Sequence, residues 1–144
     1  PFLTMGSDGE SFEQLRDLVA DCKLKVLPVL TGKTNWSRAR HEFAFDYFTV
    51  GGFEVLPYLE DIDAAAILRQ QPDYVVLCSE DANYPSLIPQ LPEGVRIIVA
   101  GLPQSEIRDS VTAFIHKDDN AYLTLRNLFL VASDDANSDE EEAE

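Results

Sequence analysis

Apolar positions along the chain follow two patterns in turn. Short apolar runs fall at residues 26–30, 53–56, 74–78, 95–100 and 112–115, and between most of them apolar residues recur at three- and four-residue spacing. An apolar run without alternation suits a strand covered on both faces, whereas the wider spacing suits a helix with one buried stripe. A first helix is predicted over residues 11–22, where Ser11 and Gln14 form a capping box and Leu15, Leu18, Val19 and Cys22 share one face. A second is predicted over residues 37–50, with Ala39, Phe43, Ala44, Tyr47 and Phe48 on its buried stripe and Gly51-Gly52 stopping it. Phe45 lies about 200° around that helix from Phe43, off the stripe, which places it either at an interface or beneath the first helix. Asp61 is the expected cap of a third helix that Pro72 ends, and Pro85 opens a short fourth that Pro89 and Pro92 limit. Residues 104–109 read as a brief helical segment, and Asp119 as the cap of a last helix through Leu130 with Leu125, Leu128 and Phe129 inward. Pro28 removes a ladder donor from the first run, which counts against a strand there.

Five apolar strands separated by helices describe a parallel sheet covered on both faces. The expected fold class is α/β, a doubly wound five-stranded parallel sheet in the flavodoxin-like order. That order places a ligand crevice at the carboxyl ends of the first and third strands. Function is therefore sought in the loops over residues 31–36 and 79–84.

The 144 residues suit one domain, and they carry 26 acidic against 11 basic side chains, a formal charge of -15. Such a surface repels a phosphate backbone, so no nucleic acid partner is expected. No apolar run reaches the roughly 18 residues of a membrane span, and no basic-then-apolar leader opens the sequence, so neither a membrane nor export is expected. Seven acids (Asp134, Asp135, Asp139, Glu140, Glu141, Glu142 and Glu144) crowd the last residues; without them 19 acids face 11 bases, a body near -8. Three units follow: residues 1–22 as an N-terminal segment and linker helix, residues 23–131 as the α/β domain, and residues 132–144 as an acidic disordered tail. The tail has no large apolar side chain to offset the entropy of ordering it. Cys22 and Cys78 are too few for a disulfide framework or a zinc site, and are read as small core residues in a reducing cytosol.

The crevice loops carry no recognisable catalytic set. Gly32-Lys33-Thr34 matches the end of a phosphate-binding loop, but Leu27 stands where that loop needs its first glycine. A phosphoacceptor site would want acids after the first strand, where Leu30, Thr31 and Gly32 stand. A serine elbow would want glycines around Ser79, which lies in Cys78-Ser79-Glu80-Asp81. His41 reads as a helical histidine rather than a ligand, and His116 as a turn residue ending the fifth strand.

A loop beginning near Gly32, a long aromatic-rich helix ending in Gly51-Gly52-Phe53-Glu54-Val55, then Asp73-Tyr74-Val75-Val76-Leu77-Cys78-Ser79 and Ile97-Ile98-Val99-Ala100-Gly101 resemble the cobalamin-binding domain of methylmalonyl-CoA mutase. The likeness covers about residues 23–130. It is closer to the carboxy-terminal domain of that mutase's small (beta) subunit, which Phe12-Glu13-Gln14-Leu15-Arg16, Val99-Ala100-Gly101-Leu102-Pro103 and Phe114-Ile115-His116 also resemble. The resemblance implies the cobalamin-binding-domain fold. It also implies a place in a longer subunit, since 144 residues leave no room for the accompanying barrel of about 250 residues.

Cofactor-binding members of the family carry Asp-x-His-x-x-Gly after the first strand: the imidazole ligates cobalt, the Asp orients it and the Gly admits the nucleotide tail. Those places fall here on Thr34, Trp36 and Ala39, or one residue later on Asn35, Ser37 and Arg40. The Trp36 indole is expected to fill the nucleotide cleft. The family's Ser-x-Leu after the third strand appears as Ser79-Glu80-Asp81, and its Gly-Gly after the fourth as Gly101-Leu102. The resemblance therefore implies a degenerate site at Thr34, Trp36, Ala39, Ser79, Asp81, Gly101 and Leu102, with no catalytic residue, metal or cofactor in this chain. It further implies a non-catalytic part of a cytoplasmic isomerase. The partner in that heterodimer, the mutase large subunit, holds adenosylcobalamin and interconverts methylmalonyl-CoA and succinyl-CoA by radical chemistry. Two alternatives stand beside it: a cobalamin carrier without the usual His ligand, binding base-on or recruiting His41, and an unrelated flavodoxin-like signalling or binding module.

Overall fold

The computed structural model describes the backbone of residues 8–32 and 34–143, and the side chains of residues 12–32 and 34–133. Strands β1 (Lys25–Leu30), β2 (Glu54–Val55), β3 (Tyr74–Cys78), β4 (Ile97–Ala100) and β5 (Ala113–Ile115) are all parallel, in the order β2-β1-β3-β4-β5. Helices α1 (Asp8–Cys22), α2 (Asn35–Val50), α3 (Ala64–Gln70), α4 (Tyr84–Leu87) and α5 (Ala121–Ala143) connect and flank them. This is the flavodoxin-like doubly wound order that the alternation of runs and helices predicts.

Alternate strand residues face opposite ways and so divide the core in two. On one face Val26, Leu30, Tyr74, Val76, Cys78, Ile98, Ala100 and Ile115 pack with Leu15 and Val19 of α1, Ala44 and Phe48 of α2, and Leu125 and Leu128 of α5. On the other, Leu27, Val29, Val75, Leu77, Ile97 and Val99 pack with Ile67 of α3, Tyr84 of α4, Leu91 and Ile107. Burial of both faces is why these strands read as unbroken apolar runs. The helix drawn as a linker, α1, thus contributes Leu15 and Val19 to the same cluster as the sheet.

Pro28 sits inside β1 without breaking it. The carbonyls of Leu24, Val26 and Pro28 accept from the N–H groups of Glu54, Leu56 and Leu59, all on the β2 side. A strand residue's N–H and C=O point the same way, so the donor that Pro28 lacks would have faced β2, which ends at Val55, and the β3 ladder is untouched.

Several helix ends fall away from the expected residue, because a neighbouring side chain caps instead. Thr34 precedes α2 and its Oγ1 accepts from the Ser37 N–H at 3.1 Å, so the helix starts before Ser37. Asp63 rather than Asp61 caps α3, accepting from the Ala66 N–H at 3.1 Å. Asn120 rather than Asp119 caps α5, accepting from the Leu123 N–H at 3.1 Å; Asp119 instead takes the Tyr47 hydroxyl and the His116 N–H. The segment 104–109 forms turns and only the 3-10 turn Arg108–Ser110. On α1, Leu18 and Cys22 are exposed, so of the two cysteines only Cys78 is a core residue. Cys22 lies in the last turn, where the chain leaves the helix through Lys23 at φ 55°. The Ser11 side chain and residues 1–7 of the N-terminal segment lie outside the described residues.

Two features bound the molecule's ends. Gly51-Gly52 stops α2 as expected, and Gly52 has φ 90° with an ideal Cβ position overlapping the Arg16 carbonyl of α1. Only glycine fits a left-handed turn pressed that closely on another backbone. At the other end α5 stays helical to Ala143, into the stretch expected to be disordered; residues 121–143 hold no Gly or Pro to interrupt the ladder. The side chains of the tail acids lie outside the described residues.

Candidate functional site

Thr31 and Ser79, the first residues beyond β1 and β3, lie side by side at the point where the strand order reverses. Both are buried, and the Thr31 hydroxyl donates to Ser79 Oγ at 2.9 Å. Ser79 Oγ also accepts from Asn83 Nδ2 at 3.0 Å. Neither partner is a base that could activate the serine, so this hydroxyl is structural. The Thr31 carbonyl in turn accepts from the Ser37 hydroxyl, which ties the loop to the first turn of α2.

Arg40, one turn further along α2, reaches over this pair. Its Nη1 donates toward the Ser79 carbonyl at 2.7 Å, Asp81 Oδ1 at 2.7 Å and the Tyr84 hydroxyl at 3.1 Å. Nη1 has two hydrogens, so the three acceptors share them. The Tyr84 oxygen accepts from the Ser79 N–H at 3.0 Å, and its own hydrogen is nearest the Ala100 carbonyl at 2.6 Å, which pins the ends of β3 and β4 together. The guanidinium lies 5.4 Å from the centre of the Trp36 ring and 5.9 Å from that of Tyr84. Burial opposes the charge on Arg40, but the bonds to Asp81 and Tyr84 outweigh it and raise its pKa. Burial also pushes the Tyr84 hydroxyl and the Cys78 thiol up to about 12, so Cys78 stays a protonated thiol.

The space above Gly101 is taken by this pair. A Cβ placed on Gly101 would lie 2.9 Å from Asp81 Oδ1 and 3.2 Å from Arg40 Nη1. Trp36, expected to fill the cleft, does not: it is 61% exposed and lies at the mouth over Arg40. Trp36 is the second residue of α2, whereas Arg40, four residues on, reaches inward to the Ser79 carbonyl. What stays open is a cleft of about 340 Å³ shifted toward β4 and β5, lined by Trp36, Ala39, Arg40, Phe43, Leu102 and His116 among others.

The structure therefore gathers the sequence-predicted positions unevenly. Trp36, Ala39, Gly101 and Leu102 line the cleft, Ser79 and Asp81 hold Arg40, and Thr34 is used as the α2 cap. His116 borders the cleft, but its Nδ1 is buried without a hydrogen-bond partner among the described residues. His41 sits around α2 from the cleft, its ring centre 4.8 Å from that of Tyr58. Burial lowers its pKa against a smaller opposing pull from Glu42. Two residues that organise the site, Arg40 and Tyr84, were not singled out as its centre by motif reasoning; the available signals were the four-residue spacing from Trp36 to Arg40 and an aromatic directly after Asn83 in the third-strand loop.

Among the described residues no group of three His, Cys, Asp or Glu side chains is placed to hold a metal ion, and no helix is long and apolar enough to cross a membrane. A cobalamin nucleotide tail entering this crevice would have to displace the Arg40–Asp81 pair and its bonds to Ser79 and Tyr84, and no imidazole stands at the ligand position. The residues present do not fit that group. No family model matches the sequence, and no curated protein matches it.

Proposed function

We propose that this chain is a non-catalytic, cofactor-free domain of a methylmalonyl-CoA mutase small subunit, which supports an adenosylcobalamin-holding large subunit in a cytoplasmic heterodimer. The observation that carries this reading is the Arg40–Asp81 pair seated over Gly101, where a cofactor-binding relative needs open space. The sequence resemblance supplies the family, and the filled crevice supports the loss of the cofactor within it. Such a domain contributes contact surface and stability, while substrate and radical chemistry belong to its partner. His41 offers no rescue for cofactor binding, because it packs against Tyr58 away from the cleft.

Co-expression with a mutase large subunit, together with titration of the separate chain by adenosylcobalamin, tests the reading. The expected outcome is co-purification in fixed ratio, with neither a shift of the cobalt absorption bands nor quenching of Trp36 fluorescence in the titration. A stable monomer that never associates with the large subunit, or tight saturable cofactor binding, overturns it.

A further inference from the structure

Arg40 borders the open cleft with part of its guanidinium unused. All three of its hydrogen bonds leave from Nη1, so Nε and Nη2 keep three N–H groups that meet no acceptor among the described residues. Neither nitrogen is among the buried atoms that lack a partner, so both reach solvent. The positive charge, by contrast, is already matched, since Asp81 Oδ1 lies 2.7 Å from Nη1. Of the other charged residues at the cleft, Lys117 and Asp118 offset each other, and the neighbouring Asp119 accepts from the Tyr47 hydroxyl and the His116 N–H. Hydrogen-bond donors are therefore in surplus here while positive charge is not.

The rest of the lining is largely apolar. Phe43, Ala100, Leu102 and Ile115 contribute to the walls of the cleft, whose volume of about 340 Å³ lies in the range of small-molecule sites, and Trp36 stands 61% exposed at its mouth. Aromatic and branched walls favour a flat ring, which packs against them with few internal rotations to lose. The unspent N–H groups favour a strong acceptor. Because Asp81 already balances the guanidinium and the body carries about -8, an uncharged carbonyl answers those donors without adding a further negative charge. We infer that this cleft binds a small aromatic molecule bearing a neutral carbonyl, the chemistry of an aromatic amide, with its ring against Phe43, Leu102 and Trp36 and its carbonyl accepting from Arg40. The site is the space that the Arg40–Asp81 pair leaves open, so the inference does not rest on the mutase reading.

The probe is benzamide, titrated into the full chain and followed by NMR, beside benzoate, which keeps the ring but adds a charge, and cyclohexanecarboxamide, which keeps the amide but not the flat ring. Saturable shifts of Phe43, Leu102, His116 and the Trp36 indole are expected, with a Kd of about 1 mM and a shift of the Arg40 Nε–H resonance. Benzoate and cyclohexanecarboxamide are each expected to bind about fivefold more weakly or worse. Ala39 is exposed and lines the cleft, so Ala39→Leu narrows the site without disturbing the core and is expected to weaken benzamide by about tenfold. Arg40→Lys keeps the charge but not the fork and is expected to abolish the preference for benzamide over benzoate; Ala39→Leu decides the matter if that variant unfolds. No saturable shift, benzoate or cyclohexanecarboxamide binding as tightly as benzamide, unchanged affinity in Ala39→Leu, or shifts gathered instead on Phe45, which is 45% exposed elsewhere on α2, would each overturn the inference.

Discussion

Arg40 and Asp81 form one ion pair but do not contribute equally to stability. The Asp81 side chain is 53% exposed, so the pair alone is worth about 0.5 kcal/mol after solvent screening. The Arg40 side chain is only 19% exposed and also serves the Ser79 carbonyl and the Tyr84 hydroxyl, and leaving a buried acceptor without its donor costs about 1–3 kcal/mol. Asp81→Asn is expected to lower stability by less than about 1 kcal/mol and Arg40→Ala by about 2 kcal/mol, read as urea unfolding midpoints. Equal losses would mean that the ion pair itself holds the rim. None of these partners was legible locally: the three contacts of Arg40 join residues 39, 41 and 44 positions apart. A second residue carries a pH signature. Burial lowers the His41 pKa from 6.5 in the folded protein, so below about 6.5 the unfolded chain binds more protons. Its contribution is whole above that pH and is lost as the pH falls through the lower folded value. The melting temperature of the native chain minus that of His41→Gln is therefore expected to shrink on acidification; a difference independent of pH would show that His41 titrates as in the unfolded chain.

The elements divide into those set by local pattern and those set by neighbours. β1, β3 and β4 were legible as apolar runs because both of their faces are buried, and the α2 stop was legible because Gly51-Gly52 is a local signal. Caps were less so, since Asp61 and Asp63, or Asp119 and Asn120, are chemically alike and tertiary contacts decide between them; Asp119 is taken by Tyr47 of α2. The contact of α1 with the turn after α2 was not legible at all, yet it can be isolated by a pair of substitutions. Gly52 and Gly94 have nearly the same φ, 90° and 85°, but a Cβ on Gly52 overlaps the Arg16 carbonyl while one on Gly94 meets nothing within 4 Å among the described residues. Gly94→Ala is expected to cost about 1 kcal/mol from backbone strain, and Gly52→Ala at least about 1 kcal/mol more, because α1 must move. Similar unfolding midpoints for the two variants would show that α1 is not held against that turn.

For the molecule as a whole, few rules select the strand order. Parallel strands joined by right-handed crossovers with helices on both faces lead to β2-β1-β3-β4-β5, and that order fixes where a crevice opens. What occupies the crevice depends on a side chain of α2 reaching over the ends of β1 and β3, which no rule of topology supplies. Charge is a second property of the whole chain. Seven of the 26 acids follow Ser133, whereas the last buried residue of α5 among the described side chains is Ala132, so removing residues 134–144 leaves the described core contacts in place. The removed charge repels the remaining body of about -8, and that repulsion is screened beyond about 10 Å at 0.1 M salt. The shortened chain is therefore expected to unfold at the same urea midpoint at high salt and at a slightly higher one at low salt. A lower midpoint at high salt would mean that the acidic end of α5 makes stabilising contacts with the body that outweigh the relief of like charge.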